Sequence, residues 1–345
     1  MVGDDIAGSA ILSALDRSGL DTSCVRRLGG EQHPSARTAQ YVAVNDAEKN
    51  LVMAMADMDI FSTHSRPDDW AAAVAASKPK WLVVDANWSE AGIRTWLRVG
   101  ADHKARIAFE PVSTAKSRRL FAPVPPSSQK SASAPQGLPL GVYPHASVDL
   151  CTPNQYELLA MYEAARENGY LEHDQPWFEV LDAFGIMRGA RDRFVDIASA
   201  DITDAGIPVQ TVNLLPYIPT IITKLGARGA LLTTILGPND PRLRDPAHAR
   251  FVVSRCFTEH QHVGGVYMRL FPPAESVTDP VSVNGIGDTF AGVLIAGLAM
   301  GGRLDEGLVN VAQRAAVMTL RSKESVSEEV ACLSGDLRRV VEASR

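Results

Sequence analysis

Residues 281–298 read Val281-Ser282-Val283-Asn284-Gly285-Ile286-Gly287-Asp288-Thr289-Phe290-Ala291-Gly292-Val293-Leu294-Ile295-Ala296-Gly297-Leu298. A Gly-x-Gly-Asp turn opens directly into an apolar run of helical length. Glycines at 285 and 287 allow a positive φ and bring backbone N–H groups close to a ligand. A helix starting here aims its unpaired N–H groups and the positive end of its dipole at that ligand, which suits an anion. A carboxylate is otherwise unwelcome beside phosphate. Asp288, at the mouth of the turn, is therefore placed to take a proton from a hydroxyl that attacks phosphorus. By themselves these residues read first as a tight turn with Asp288 as the helix N-cap.

Three other segments extend the reading. Thr223-Lys224-Leu225-Gly226-Ala227-Arg228-Gly229-Ala230-Leu231-Leu232 follows the apolar Ile221-Ile222 and predicts strand, glycine turn, strand. Cys151-Thr152-Pro153-Asn154-Gln155-Tyr156-Glu157 ends a short Val148-Asp149-Leu150 strand. Asn154 caps the helix that follows, and Glu157 stands three residues on, as in a capping box. That box alone accounts for the pair without any ligand. Leu82-Val83-Val84-Asp85-Ala86-Asn87 is an apolar strand ending in polar side chains. Strands alternating with helices predict an α/β doubly wound sheet.

With these segments in view the chain resembles the ribokinase-like (PfkB) carbohydrate and nucleoside kinases. Asn-x-x-Glu, Thr-x-x-Gly-x-x-Gly and Gly-x-Gly-Asp follow one another in that family's order and at about its spacing. Gly3-Asp4-Asp5-x-x-Gly8 and Gly19-Leu20-Asp21-Thr22 look like an early family segment, so the resemblance covers nearly the whole chain. It implies one kinase domain over residues 1–345, a mostly parallel sheet flanked by helices, and a small β lid including residues 36–60.

The resemblance also implies roles. Asp288 matches the catalytic base, and Gly285, Ile286 and Gly287 match the anion hole. Asn154 and Glu157 match the pair that organises Mg2+ and the phosphates of ATP. Thr223, Gly226 and Gly229 match the nucleotide phosphate loop. Asn310 and the Ser322–Ser325 segment fall where the family lines the adenine pocket. A narrower likeness comes from Phe109-Glu110-Pro111-Val112-Ser113-Thr114-Ala115-Lys116 and Ala54-Met55-Ala56-Asp57-Met58-Asp59-Ile60, which look like stretches of pseudouridine kinases. This implies pseudouridine, phosphorylated at its 5′-hydroxyl, as substrate, with Asp57 and Lys116 on the substrate side. It also implies a pseudouridine-5′-phosphate glycosidase as partner, fused or separate, and leaves room for a homodimer. Ribose, adenosine or another sugar is the alternative substrate, and a truncated, non-catalytic kinase-like remnant the alternative function.

Two departures carry expectations of their own. Ser282 stands where the family commonly has an Asp, which argues against monovalent-cation activation. The family's first central strand, its substrate-gripping Asp and its Gly-Gly-x-x-Asn motif precede the segment matched by Val2–Asp5. The expectation is an N-terminally incomplete domain, with an empty sheet position and a substrate pocket short of one wall.

Composition fits this class. A chain of 345 residues can bury a large core. Lys plus Arg number 34 against 40 Asp plus Glu, a net −6 without a nucleic-acid footprint. Cys24, Cys151, Cys256 and Cys332 are scattered without metal-ligand spacing, which points to a reducing, cytoplasmic compartment. No apolar run is long enough to span a membrane. Residues 122–147, rich in Pro, Ser and Ala, read as a disordered insertion. Ile6, Ala10, Leu12 and Leu15 make one face of a first helix. Trp177, Phe178, Val180, Leu181 and Phe184 make another apolar helical face, read as core or interface. Arg118-Arg119 read as a solvated basic surface, and Lys116 as reaching either a carboxylate or a phosphate. His260 and His262 share a face if extended but lack a third metal ligand.

Overall fold

The computed structural model describes residues 1–46, 51–63, 67–123, 140–186, 189–258 and 260–344. The strands are β1 (Val2–Gly3), β2 (Arg27–Leu28), β3 (Gln40–Asn45), β4 (Leu51–Asp57), β5 (Trp81–Asp85), β6 (Arg106–Glu110), β7 (Leu150–Cys151), β8 (Thr220–Lys224), β9 (Ala230–Leu236), β10 (Val252–Arg255) and β11 (Gly265–Phe271). The helices are α1 (Ile6–Arg17), α2 (Asp59–Thr63), α3 (Pro67–Ser77), α4 (Glu90–Asp102), α5 (Thr114–Ser117), α6 (Gln155–Glu167), α7 (Pro176–Ala183), α8 (Ala190–Ala198), α9 (Ala200–Asp204), α10 (Ile207–Leu214), α11 (Ile286–Ala299), α12 (Glu306–Leu320) and α13 (Ser334–Ala343).

Seven strands form one mixed sheet in the order β10-β11-β9-β8-β7-β6-β5. The run from β5 to β8 is parallel, and β9, β11 and β10 continue it in antiparallel pairs. Parallel strands covered on both faces read as continuous apolar runs rather than alternating ones. That is the case here, yet neighbouring residues still divide between two cores. Phe109, Cys151, Ile221, Leu231 and Met268 pack with Leu97 of α4, Leu158 of α6, Trp177 of α7, Phe194 of α8 and Val212 of α10. Ala108, Leu150, Ile222, Leu232 and Tyr267 pack on the opposite face with Phe290 and Leu294 of α11 and Leu308 and Ala312 of α12. The expected doubly wound sheet, layered helix–sheet–helix, is what the chain forms. The apolar face at Trp177, Val180 and Phe184 is core, as expected.

Strands β3 and β4 pair antiparallel from Gln40↔Asp57 to Asn45↔Leu51. This ribbon exposes Tyr41, Val42, Val44, Val52, Met53 and Met55. The residues between its strands, 47–50, lie outside the described residues. The approach to β3 is tied to α1 through Asp5. Its Oδ1 accepts from the Gly8 amide at 2.7 Å and the Thr38 hydroxyl at 2.6 Å, and its Oδ2 accepts from the Thr38 amide at 2.8 Å. The early Gly-Asp-Asp-x-x-Gly segment is thus an N-cap and a clasp on the residues leading into β3.

One expectation is corrected in its bounds: the stretch 122–147, expected to be a disordered insertion, packs on the core at its described ends. Ala122 and Leu140 are 3% and 5% exposed, the Tyr170 hydroxyl donates to the Ala122 carbonyl, and the Tyr143 amide donates to the Pro216 carbonyl. Residues 124–139 lie outside the described residues. Helix α1 forms as expected, capped by Asp5; of its apolar face Leu12 and Leu15 are half-buried, while Ile6 is 90% exposed.

The Thr38 hydroxyl first, then the Thr38 and Gly8 amides, hold the Asp5 carboxyl below its ordinary value of 3.8. A lowered carboxylate contributes stability that is present above the unfolded value and lost as pH falls through the folded one. Asp5→Asn is therefore expected to lower Tm at pH 7, with the difference from wild type shrinking below about pH 4 in thermal unfolding followed by circular dichroism.

Candidate active site

The parallel strands end level with one another. Asp85 pairs in register with Glu110, Phe109 with Cys151, Cys151 with Ile221, and Asn154 bridges Lys224. Their carboxyl ends therefore present Asp85, Glu110, Thr152, Asn154 and Lys224 along one rim of the sheet. Open α/β sheets bind ligands outside this edge.

At the rim Glu110 is 7% exposed. It accepts from Lys224 Nζ at 3.0 Å through Oε1 and from the Thr152 hydroxyl at 2.5 Å through Oε2. Burial pushes its carboxyl up, and the Lys224 ammonium opposes that push. The same environment raises the buried Cys151 thiol, desolvation being the main cause and the Glu110 charge the next.

Helix α11 starts at Ile286, with Gly285 in the left-handed region at φ 73° as its N-cap. Asp288 is therefore not the cap; it lies in the first turn, exposed, with no hydrogen bond or ion pair among the described residues. The amides of Ile286, Gly287 and Asp288 have no acceptor among the described residues, so the turn keeps its donors for a ligand. The turn is braced from behind. The Val281 and Ser282 amides donate to the Leu320 carbonyl at the end of α12, and the Thr289 and Thr319 hydroxyls meet at 2.9 Å. A Cβ at Gly285 would fall 1.7 Å from the Ser325 carbonyl oxygen, so the 322–325 loop packs directly on the turn.

Asn154 and Glu157 form the full capping box: Asn154 Oδ1 accepts from the Tyr156 and Glu157 amides, and Glu157 Oε2 accepts from the Asn154 amide at 2.7 Å. The second Glu157 carboxylate oxygen makes no hydrogen bond among the described residues. No group of three or more His, Cys, Asp or Glu there could hold a metal ion, and the His260 and His262 rings stand 6.2 Å apart. The donor set suits Mg2+ delivered with phosphates, which needs only one or two carboxylates and keeps much of its water.

The remaining expected residues divide. Gly226, at φ 59°, has open space where a side chain would be. Gly229 is packed instead: a Cβ there would meet the Phe271 carbonyl oxygen at 2.0 Å. Thr223 is fully buried with its hydroxyl unpartnered, so it is not presented to a nucleotide. Its neighbour Lys224, on the alternate face of β8, is what reaches the turn; a Cβ at Gly287 would lie 2.9 Å from Lys224 Nζ. Ser322 sits in the loop beside the turn, whereas Asn310 is exposed ten residues before the end of α12, roughly 15 Å along the helix axis. The site does not gather Asn310 with Ser322.

On the far side of the rim, Lys116 Nζ donates to Asn87 Oδ1 at 2.6 Å, and Asn87 is fixed by Asp85 through an amide contact of 2.8 Å. Partial burial, then Arg119, lowers the Lys116 ammonium from its ordinary value. Arg119 is not the expected solvated charge: its Nη1 donates to the carbonyls of Ala86, Asn87 and Trp88 at 2.8, 3.1 and 3.0 Å. Arg118 does remain at the surface, paired with Glu163 and Glu167. Asp57 is exposed at the end of β4 and accepts from the Asp59 amide at 3.3 Å.

The two glycines of the turn separate fold from function. Gly285→Ala forces a side chain into left-handed backbone and into Ser325, and is expected to destabilise by about 1–3 kcal/mol or more in denaturant unfolding. Gly287→Ala improves helix propensity but displaces the Lys224 ammonium. It is expected to leave Tm unchanged or raised while weakening nucleotide binding in calorimetry.

No protein-family model matches the chain. It is 29% identical over 335 residues to a pseudouridine-metabolizing bifunctional protein of Schizosaccharomyces pombe, across 94% of this chain. The chain spans 38% of the length of that relative. Among solved structures it is similar to the ribokinase of Giardia lamblia (TM-score 0.54, 14% identity, 99% of this chain and 79% of that one). It is also similar to the ribokinase of Arabidopsis thaliana complexed with ribose and ATP (TM-score 0.52, 14% identity, 99% and 80%). The adenosine kinase of Sinorhizobium meliloti matches at TM-score 0.51 and 15% identity, over 99% and 76%. The chain folds as a ribokinase-like α/β protein and is a sequence homologue of a pseudouridine-metabolizing protein.

Proposed function

We propose that the chain is an ATP-dependent kinase that phosphorylates the 5′-hydroxyl of pseudouridine. The observation that carries this reading is the α11 turn: three amides without acceptors among the described residues, Asp288 exposed beside them, next to Lys224 at the carboxyl end of β8. Asp288 takes the proton of the 5′-hydroxyl as its oxygen bonds to the γ-phosphorus; the bond from that phosphorus to the bridging oxygen breaks, and ADP leaves. The amides of Ile286, Gly287 and Asp288 receive the charge on the transferring oxygens, which is where phosphoryl transfer gains most from a protein. Gly226 leaves room for nucleotide phosphates, and the Ser322–Ser325 loop borders the nucleotide side. The unengaged Glu157 oxygen, with water, would hold Mg2+, which neutralises phosphate charge when bound.

The choice of pseudouridine rests on the Glu110–Lys116 and Asp57–Ile60 segments and on what the S. pombe relative is said to metabolize. Lys116 and Asp57 offer a donor and an acceptor on the substrate side. The reading implies a pseudouridine-5′-phosphate glycosidase, fused or separate, as functional partner and a cytoplasmic setting. Among the described residues no helix is long and apolar enough to cross a membrane.

Asp288→Asn keeps shape and removes proton acceptance. It is expected to lower kcat about 10²–10⁴-fold with ATP affinity nearly unchanged; near-normal turnover would remove Asp288 from the mechanism. In an assay coupled to ADP release, pseudouridine should give the highest kcat/KM in a panel with uridine, ribose and adenosine. Preference for ribose or adenosine would contradict the substrate assignment.

A further inference from the structure

Lys224 stands in an electrostatically awkward place. Its ammonium lies against Gly287, in the first turn of α11, where the helix dipole is positive and the amides are unpaired. A cation there is repelled by the helix end unless an anion lies between them. Its one hydrogen-bond partner among the described residues is Glu110 Oε1, leaving two of its three donors unassigned. Glu110 is itself immobilised: it is buried, and its other oxygen accepts from Thr152 at the end of the neighbouring strand. The ammonium is therefore anchored by Glu110 and undersatisfied, and it lies beside a turn whose amides are unpaired among the described residues. Two sets of spare donors side by side suit a tetrahedral oxyanion.

We infer that Lys224 is the fixed cation that binds the terminal phosphate of the nucleotide at the α11 turn, and that Glu110 is the positioning residue that holds its ammonium there. The inference rests on the kinase reading above and deepens it. A phosphate oxygen bound by both Lys224 and the Ile286–Asp288 amides replaces cation–dipole repulsion with two charge-assisted contacts. Because the contact is to the terminal phosphate, Lys224 discriminates ATP from ADP, and as charge shifts during transfer it stays with the moving group. Glycine at 287 fits this role, since a Cβ there would come within 2.9 Å of the ammonium and push it aside.

The test is titration calorimetry with ATP and with ADP on wild type, Lys224→Met, Lys224→Arg, and the double variant Lys224→Met with Glu110→Gln. The double variant controls for the buried carboxylate that Lys224→Met alone leaves without its cation, at a cost in stability; circular dichroism checks that each variant is folded. Wild type is expected to prefer ATP over ADP, and both Met variants to lose about 10- to 100-fold of that preference, with Lys224→Arg retaining part. Glu110→Gln alone should lower kcat and the ATP preference while leaving KM for pseudouridine unchanged. An ATP-to-ADP ratio in the double variant equal to that of wild type would overturn the inference. Turnover with a Lys224-independent ratio sinks only the role of Lys224. A Lys224-dependent ratio without phosphoryl transfer to any substrate of the panel sinks only the kinase reading.

Discussion

One buried carboxylate ties the working end of this molecule together. Glu110 ends β6, Thr152 follows β7 and Lys224 ends β8, and a single carboxylate accepts from both partners. Burying a carboxylate is costly unless it is paired and hydrogen-bonded. Here the cost is met by partners on the two next strands, so the ends of three adjacent parallel strands stay in fixed relation. The rim that results carries Asn154 and its capping box on one flank and the Asp85–Asn87–Lys116 chain on the other.

The second half of the site is built independently. Helices α11 and α12 form an antiparallel hairpin whose apolar sides pack on one face of the sheet. The hairpin's open end brings the Gly285 turn beside the end of α12, where the Leu320 carbonyl and the Thr319 hydroxyl hold it. The turn can leave its own amides unpaired because everything behind it is satisfied. Lys224 is where the two halves meet: rooted in the sheet and pressed against the hairpin's turn. The joint depends on charge and on a missing Cβ, not on apolar packing.

What could be read in the sequence was local. The Gly-x-Gly-Asp turn, the Asn-x-x-Glu box and the strand–turn–strand around Gly226 each depend on residues a few positions apart, and all three form as expected. What escaped depends on distance along the chain. Lys224 and Glu110 are 114 positions apart, so nothing local marks them as a pair, and the resemblance alone points to the adjacent Thr223 for the phosphate side. A count of strand alternation would have placed 223 and 224 on opposite faces. Arg119 reads as a surface charge until the 86–88 loop is folded beneath it. Val112 takes φ 66°, with the Ser113 amide donating to the Pro111 carbonyl across it, a classic γ-turn that a β-branched residue does not advertise.

The central claim is that the amides at the start of α11 are the receptor for a nucleotide phosphate. Hydrogen–deuterium exchange of the chain with and without a non-hydrolysable ATP analogue addresses those amides directly. Peptides covering 284–290 should exchange more slowly in the presence of the analogue, while those from α7 to α10 should not change. Unchanged exchange across 284–290 under saturating nucleotide would contradict the account.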